Sequence, residues 1–476
     1  MPPSQSKSSS LDEIAASLLA KKGLELVSCQ TVQSLWAGYG HICRVEAQLP
    51  PSNGDNKDGQ QEPLSLVLKY INPPATKSQD DEGHLRKILS YQVEQHFYAH
   101  LAPRLLLSHP GGGGGDEVAV AECLGSVHDG TTTALLLRDL QREVPAAYES
   151  CFQLDDAMKA AAGLGDKEKV AAAASFPLAL EKRGTLTPDL VDAALDWLAG
   201  FHGFFWRDEE KARYAANPEH LVPPPLEFAA AAASSSTSQS SSSNKNGAAV
   251  VHGVWQNGGY TYLATRRSEY ANLEEEDESE WSDALCRPSS SSSGGKSVAE
   301  EVAYYLSPSH PATSPYATLI HGDVKSENMF GRSASSSPPS SSSAAAAKVA
   351  FFDFQYVGVG LGVCDLAKLF TCSVPVSLLA APAAASFSIS PSLGMQPGEK
   401  ALLERYLARL EAVSGRGKNC YPWDVFVRHW EAALVDWLRF QASWGFWGNT
   451  AWLEARVREI LSRKKTAEDW EEEAWR

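Results

Sequence analysis

Over roughly the first 140 residues, apolar positions fall in short runs and alternations of the strand type. Leu64–Ile71 (LSLVLKYI) reads as a β-strand, and its two-residue period puts Val67 and Lys69 on one face. Leu85, Leu89, Val93 and Phe97 then recur every four residues, which predicts an amphipathic helix over Leu85–Leu101. Beyond Leu140 the helical period dominates, with helices predicted over Leu190–Trp206, Asp424–Phe440 and Ala451–Lys464. Thr318–Phe330 and Val349–Phe354 read as a loop and short strands. Strands first and helices afterwards predict a two-lobed α+β molecule. Its expected parts are an N-terminal tail (1–23), a sheet lobe (24–138) and a mainly helical lobe (139–476).

Several stretches interrupt this pattern. Residues 51–62 are polar, residues 111–115 are all glycine, and 229–247, 287–296 and 333–347 are rich in Ala, Ser, Pro or Gly. Such compositions bury too little apolar surface to offset the entropy of ordering, so they are expected as unstructured insertions in one fold. No internal repeat is present.

Composition narrows the partners. Of 476 residues, 43% are hydrophobic, enough for a sizeable core. Lys and Arg number 42 against 58 Asp and Glu, a net charge of −16, which argues against nucleic acid as a partner. The eight cysteines form no CxxC pair, so reduced thiols in a cytoplasmic protein are expected rather than a disulfide framework or a zinc site. The first 23 residues lack a continuous apolar core, and Asp12 and Glu13 interrupt them, so neither a signal peptide nor an organelle transit segment is expected. No apolar run of about 18 residues predicts a membrane span.

Two motifs carry candidate chemistry. The first is His321-Gly322-Asp323-Val324-Lys325-Ser326-Glu327-Asn328, and the second, some thirty residues on, is Phe351-Phe352-Asp353-Phe354-Gln355. Phosphoryl transfer asks for a carboxylate to orient and deprotonate an acceptor hydroxyl, hard oxygen ligands for Mg²⁺, and positive charge around the moving group. An Asp, an amide five residues later and a separate Asp at a strand end supply those parts. Each also has an ordinary reading: Asp323 as a turn aspartate, Asn328 as a loop amide. Asp353 lies in the apolar run VAFFDF, where burial without partners would be costly.

The pattern HGDxxxxN, followed by an apolar strand and DFQ, resembles the aminoglycoside phosphotransferase and choline kinase superfamily, and within it the ecdysteroid-kinase-like (CHK-type) small-molecule kinases. The resemblance runs from about Leu24 to Arg463, with only the two motifs specific. It implies a protein-kinase-like fold with an antiparallel N-terminal sheet, and ATP and Mg²⁺ as cofactors. By it Asp323 corresponds to the catalytic base, and Asn328 and Asp353 to the metal ligands. Lys69 corresponds to the lysine on the α- and β-phosphates, with Glu94 its ion-pair partner. Leu137–Leu140, with Leu137 and Asp139, corresponds to the hinge at the adenine, which Val67 and Phe330 would flank. Gly38 and Gly40, within Leu35–Ile42, stand where the phosphate-covering loop would be, although they form no GxGxxG and also fit a plain hairpin turn. Asp365 in Cys364-Asp365-Leu366-Ala367 is expected to support the catalytic loop, and His321 to brace its backbone. Lys325 departs from many small-molecule members; it stands where a cation would neutralise the γ-phosphate, or it is a solvated loop lysine.

The implied reaction is transfer of the ATP γ-phosphate to the hydroxyl of a small-molecule alcohol. A protein kinase is disfavoured, because Gly322 stands where Arg would be and no Ala-Pro-Glu follows Asp353. A catalytically silent nucleotide-binding member is the other alternative. Trp437, Phe440, Trp444, Phe446 and Trp447 form an aromatic cluster that would hold an apolar ring or a quaternary ammonium, or would simply pack the core.

Overall fold

The structure is a computed structural model that describes residues 6–51, 62–74, 81–107, 118–128, 133–152, 175–215, 218–235, 251–288, 295–334, 346–380 and 389–463. It divides into two compact units, Met1–Pro177 with Ala232–His252, and Leu178–Ala231 with Gly253–Arg476. The glycine run and most of the expected insertions (52–61, 236–250, 289–294 and 335–345) lie outside the described residues.

The first unit is built on an antiparallel sheet of five strands: β1 (Glu25–Ser34), β2 (Gly40–Gln48), β3 (Leu64–Ile71), β4 (Cys123–His128) and β5 (Thr133–Arg138), in the order β1-β2-β3-β5-β4. In β3 the period-2 reading holds. Leu64, Leu66 and Leu68 enter the core with Val45, Ala47, Ala134 and Leu136, and Val67 and Lys69 lie on the opposite face. Helix α2 runs from Glu82 to His96, capped by the Asp81 side chain accepting from the His84 amide, and continues as a π turn over Phe97–Leu101. The predicted helix is thus present, starting three residues earlier because Asp81 caps it.

The expected tail is a helix. α1 (Ser6–Ala20) lays Leu11, Ala15, Leu18 and Leu19 into the same core as the β3 leucines. Its Ser-rich start masked an i, i+4, i+7, i+8 stripe, Leu11-Ala15-Leu18-Leu19. Leu19 is completely buried. Leu19→Ala is expected to destabilise the first unit by about 2–5 kcal/mol through lost burial and a residual cavity. Urea unfolding followed by the signals of that unit checks this, and an unchanged midpoint would mean that α1 adds nothing.

The division also falls later than position 138, at Pro177. Tyr148, Cys151 and Phe152 belong to the core of the sheet, and the Phe176 amide donates to the Leu140 carbonyl at 2.7 Å, so the described residues 139–152 and Phe176 are bound to the sheet unit. Val251 returns to that unit by donating its amide to the Gln92 side chain at 2.8 Å. Part of the Ala-rich stretch expected to be loose is helical, Pro225–Ser235, as an alanine run in good helix propensity allows.

The second unit is mainly helical. Pro188–Phe205 packs along Pro397–Ser414, and Trp423–Trp444 packs on Gly362–Cys372 and Thr450–Arg463. The helices Pro188–Phe205, Trp423–Trp444 and Thr450–Arg463 correspond to the three predicted ones, with Trp206 capping the first and Lys464 outside the described residues. Two small sheets complete it. One is β11 (Lys348–Phe351), β10 (Met329–Arg332) and β6 (Leu178–Ala179), and the other is β7 (Leu221–Val222), β8 (Val254–Trp255), β12 (Gly358–Gly360) and β9 (Thr318–Ile320). β10 and β11 pair as an antiparallel hairpin, Met329 opposite Phe351 and Arg332 opposite Lys348. Among the described residues no helix is long and apolar enough to cross a membrane.

Candidate functional site

β9 leads directly into His321-Gly322-Asp323. The chain turns there because Gly322 has φ +85 and no room for a side chain: a Cβ would lie 2.2 Å from the Tyr356 carbonyl oxygen and 2.9 Å from Gly259 Cα. Asp365, fully buried in the helix Gly362–Cys372, holds this turn from below. Its Oδ2 accepts from the His321 amide at 2.7 Å and its Oδ1 from the Gly322 amide at 2.9 Å. Oδ2 also lies 3.1 Å from His202 Nε2, and His202 Nδ1 is 2.7 Å from the Tyr406 hydroxyl. Burial pushes the Asp365 carboxyl up, but the His202 hydrogen bond and the charge of Lys368 outweigh it and hold the pKa below its ordinary value.

His321 braces the backbone. Its Nδ1 lies 3.3 Å from the Asp323 amide, which donates to it, and its Nε2 lies 3.0 Å from the Phe352 carbonyl, to which it donates. Those two roles require the neutral ring, and burial pulls its pKa down against the charges of Asp365, Asp323 and Asp353. The ring is packed among Trp197, Phe351 and Phe354. The Phe352 amide donates to the Asn328 carbonyl at 3.0 Å, so the amide and the carbonyl of this one residue both tie the second motif to the first.

Asp323 and Asn328 meet. Asn328 Nδ2 donates to Asp323 O at 2.8 Å and to Asp323 Oδ2 at 2.9 Å. Lys325 Nζ donates to the same Oδ2 at 3.0 Å and pairs with Glu327 at 3.1 Å. Burial alone would lower the Lys325 pKa, but the two carboxylates outweigh it and hold it above the usual lysine value. Lys325 is therefore paired and not a free loop cation. Asp323 Oδ1 makes no hydrogen bond with a described residue. Asp353 follows β11 and adopts φ +67, a left-handed conformation that is strained for a non-glycine residue and collects at functional sites. Ser326 fixes the middle of the loop: its amide donates to Ser373 Oγ at 2.8 Å, and its hydroxyl lies 3.0 Å from the carbonyls of Glu181 and Gly184.

Among the described residues no cluster of three or more His, Cys, Asp or Glu side chains converges for a metal. The donors on these loops are an amide and a carboxylate, hard oxygen ligands without thiol or imidazole. They fit Mg²⁺, which keeps few protein ligands and takes the rest from phosphates and water, and they do not fit zinc.

In the first unit Lys69 Nζ lies 2.6 Å from Glu94 Oε2, with the side chains 8% and 2% exposed. A desolvated pair of this kind is held because losing either partner strands a buried charge. Val67, two residues before Lys69, is the register partner of Leu137 in β5. Asp139 is spent within the chain: it accepts from Ser65 Oγ at 2.7 Å and from the Gln141 amide at 3.0 Å, and so braces the segment after β5. Gly38 sits in the β1–β2 hairpin loop and Gly40 opens β2, where the Leu35 amide donates to the Gly40 carbonyl at 2.9 Å. Gly38 has φ +75 with open space around it, whereas a Cβ on Gly40 would lie 1.9 Å from the Tyr70 carbonyl oxygen. Close approach to β3 accounts for Gly40. Phe330, in the second unit, stacks on Phe352 at 4.6 Å.

The aromatic cluster is divided between core and surface. Trp437 and Phe440 are buried, and the cation on their neighbours is this chain's own Arg266, whose guanidinium lies 3.7 Å from the Tyr260 ring centre and 5.1 Å from that of Phe440. Trp444 and Phe446 are exposed.

Sequence reading missed His202, Tyr406 and Ser373. His202 and Tyr406 stand 204 positions apart, and no local pattern joins them. The only signal was a histidine within the apolar run FHGFF.

Residues 271–383, which contain both motifs and Asp365, match the family model of the Ecdysteroid kinase-like family. Among curated proteins none matches. Solved structures that match include macrolide 2'-phosphotransferase MphH from Brachybacterium faecium, at 14% identity over 95% of this chain and 100% of that one, with a TM-score of 0.33.

Proposed function

We propose that this chain is an ATP-dependent small-molecule kinase that transfers the γ-phosphate to an alcohol hydroxyl. The observation that carries the reading is the lock between Asp323 and Asn328 on a loop tied to the Asp353 segment, within the stretch that matches the ecdysteroid kinase-like family. In this reading Asp323 takes the acceptor proton on Oδ1, because Oδ2 is held by Asn328 and Lys325. Asn328 and Asp353 hold Mg²⁺, which when bound neutralises charge on the phosphates. Lys325 offsets the charge of Asp323 and Glu327, and it is the cation nearest the base. Lys69, oriented by Glu94, contacts the α- and β-phosphates.

ATP with Mg²⁺ is expected to raise the melting temperature by a few degrees at about 100-fold its Kd, and EDTA or Asp353→Ala is expected to remove the rise. Differential scanning fluorimetry checks this, and the absence of any Mg²⁺-dependent shift overturns the nucleotide reading. The acceptor is then sought as a metabolite that gains one phosphate by mass when incubated with the enzyme and ATP.

A further inference from the structure

β1 is an edge strand of its sheet, and two bulges break its ladder with β2, between Leu26 and Ser28 and between Thr31 and Gln33. The run between the bulges carries Cys29. Cys29 is the register partner of Val45, and Cys43 that of Thr31, so the two cysteines stand diagonally on one face of neighbouring strands. Both lie on the core side. Cys43 is completely buried in the cluster that holds Leu18, Leu66 and Leu124, and Cys29, half-buried, packs against that cluster. In a flat ladder this diagonal is wide for a disulfide, yet here the two thiols are hydrogen-bonded to each other. Cys43 Sγ also lies 3.7 Å from Thr31 Oγ1. Both thiols are free. Their mutual hydrogen bond lowers Cys43 to about 7 and raises Cys29 above the usual thiol value, so the pair releases one proton near neutral pH and shares the other. Burial instead pushes the thiols of Cys151, Cys286, Cys364, Cys372 and Cys420 up.

We propose that Cys29 and Cys43 form a dithiol that hydrogen peroxide oxidises to a reversible disulfide between β1 and β2. Half-buried Cys29 is the sulfur that peroxide reaches, and buried Cys43 is the one that resolves it. The Cys29 thiolate attacks one peroxide oxygen and the O–O bond breaks. The sulfur becomes a sulfenic acid, and the hydroxide that leaves is protonated to water. Cys43 then attacks the Cys29 sulfur. An S–S bond forms, the S–O bond breaks, and a second water leaves with the last thiol proton. The two thiols lose two electrons and two protons in all, and the peroxide takes up both. The edge position and the flanking bulges let the run from Ser28 to Thr31 shift from hydrogen-bond distance to bond length. The bond closes a ring around the loop that holds Gly38. The proposal does not rest on the phosphoryl-transfer reading.

Peptide mapping of the full chain tests it. The reduced protein is treated with hydrogen peroxide while folded, its remaining thiols are alkylated, and it is digested without reductant by chymotrypsin. Cleavage after Trp36 and Tyr39 separates Cys29 from Cys43. The two peptides are expected to stay linked, lighter by two hydrogens than their sum, and to part with dithiothreitol. The link should form at least about tenfold faster than any other cysteine is oxidised, because this pair alone joins a lowered thiol to a resolving partner. In Cys43→Ser the Cys29 sulfenic acid has no resolving thiol, and dimedone should capture it in several-fold greater yield than in the wild type. Should that variant fail to fold, Cys43→Ala, which adds no hydroxyl to the core, carries the same expectation. Absence of the Cys29–Cys43 link overturns the proposal, as does a link no faster than pairings among the other cysteines. Equal dimedone capture in the wild type and the Cys43 variants overturns the assignment of Cys43 as the resolving thiol.

Discussion

Asp323→Asn is expected to lower the rate of phosphate transfer by about 10²–10⁴-fold, the range for removing a general base, while leaving Mg²⁺-dependent ATP binding intact. The geometry explains why the two readouts part. Oδ2 of Asp323 is held by Asn328 Nδ2 at 2.9 Å and Lys325 Nζ at 3.0 Å. An asparagine can keep its amide oxygen at that position, so the loop retains its shape. Its NH₂ then stands where Oδ1 stood, and a donor replaces the acceptor that the substrate hydroxyl needs. Single-turnover measurements, with the acceptor found by mass gain, give the rate, and the thermal shift with ATP gives the binding. Transfer within tenfold of wild type would reject Asp323 as the base. Loss of the ATP shift together with activity would instead indicate that the loop had collapsed.

The second large effect is expected at Asp365. Asp365→Ala strands the amides of His321 and Gly322 and the His202 imidazole in a fully buried site. Each orphaned donor costs about 1–3 kcal/mol, and breaking a buried charged network about 3–5 kcal/mol in all, which corresponds to a fall in melting temperature on the order of 10 °C. The pH dependence carries a sign. The folded pKa of Asp365 lies below the ordinary 3.8, so its contribution is fully present above about pH 4 and is lost as pH falls through the depressed folded value. The wild type should therefore lose stability on acidification below about pH 4 more steeply than the alanine variant. Thermal melts between neutral pH and pH 3 check both parts, and parallel pH profiles would show that Asp365 is not the group being titrated.

What could be read from the chain beforehand was what local period and local motif encode. Leu64–Ile71 and the face of Lys69 follow from a two-residue period, and the pair Lys69–Glu94 from a strand followed by a helix. Asp323, Asn328 and Asp353 stand in two short motifs, and the hairpin β10–β11 that joins them is local too. The remainder depends on contacts between distant positions. α1 was hidden because four apolar residues behind a serine run gain their meaning only against the β3 leucines. The boundary at Pro177 depends on where Tyr148 and Phe152 pack, which their own neighbours in sequence do not encode. The aromatic cluster looked open to a cation because nothing near Phe440 in sequence announces Arg266. The Asp365–His202–Tyr406 chain joins three helices through side chains that are individually commonplace.

The hairpin has a practical consequence. Four register pairs, Met329 with Phe351 through Arg332 with Lys348, set the separation of Asn328 from Asp353. The ladder acts as a clamp on that separation, whatever the length of chain that bridges Arg332 to Lys348. Closing a longer bridge adds only about 0.6 kcal/mol per doubling. Length between Arg332 and Lys348 is thus open to change: an epitope or a fluorescent reporter can be spliced in there, or the serine run cut back, while the two motifs keep their spacing.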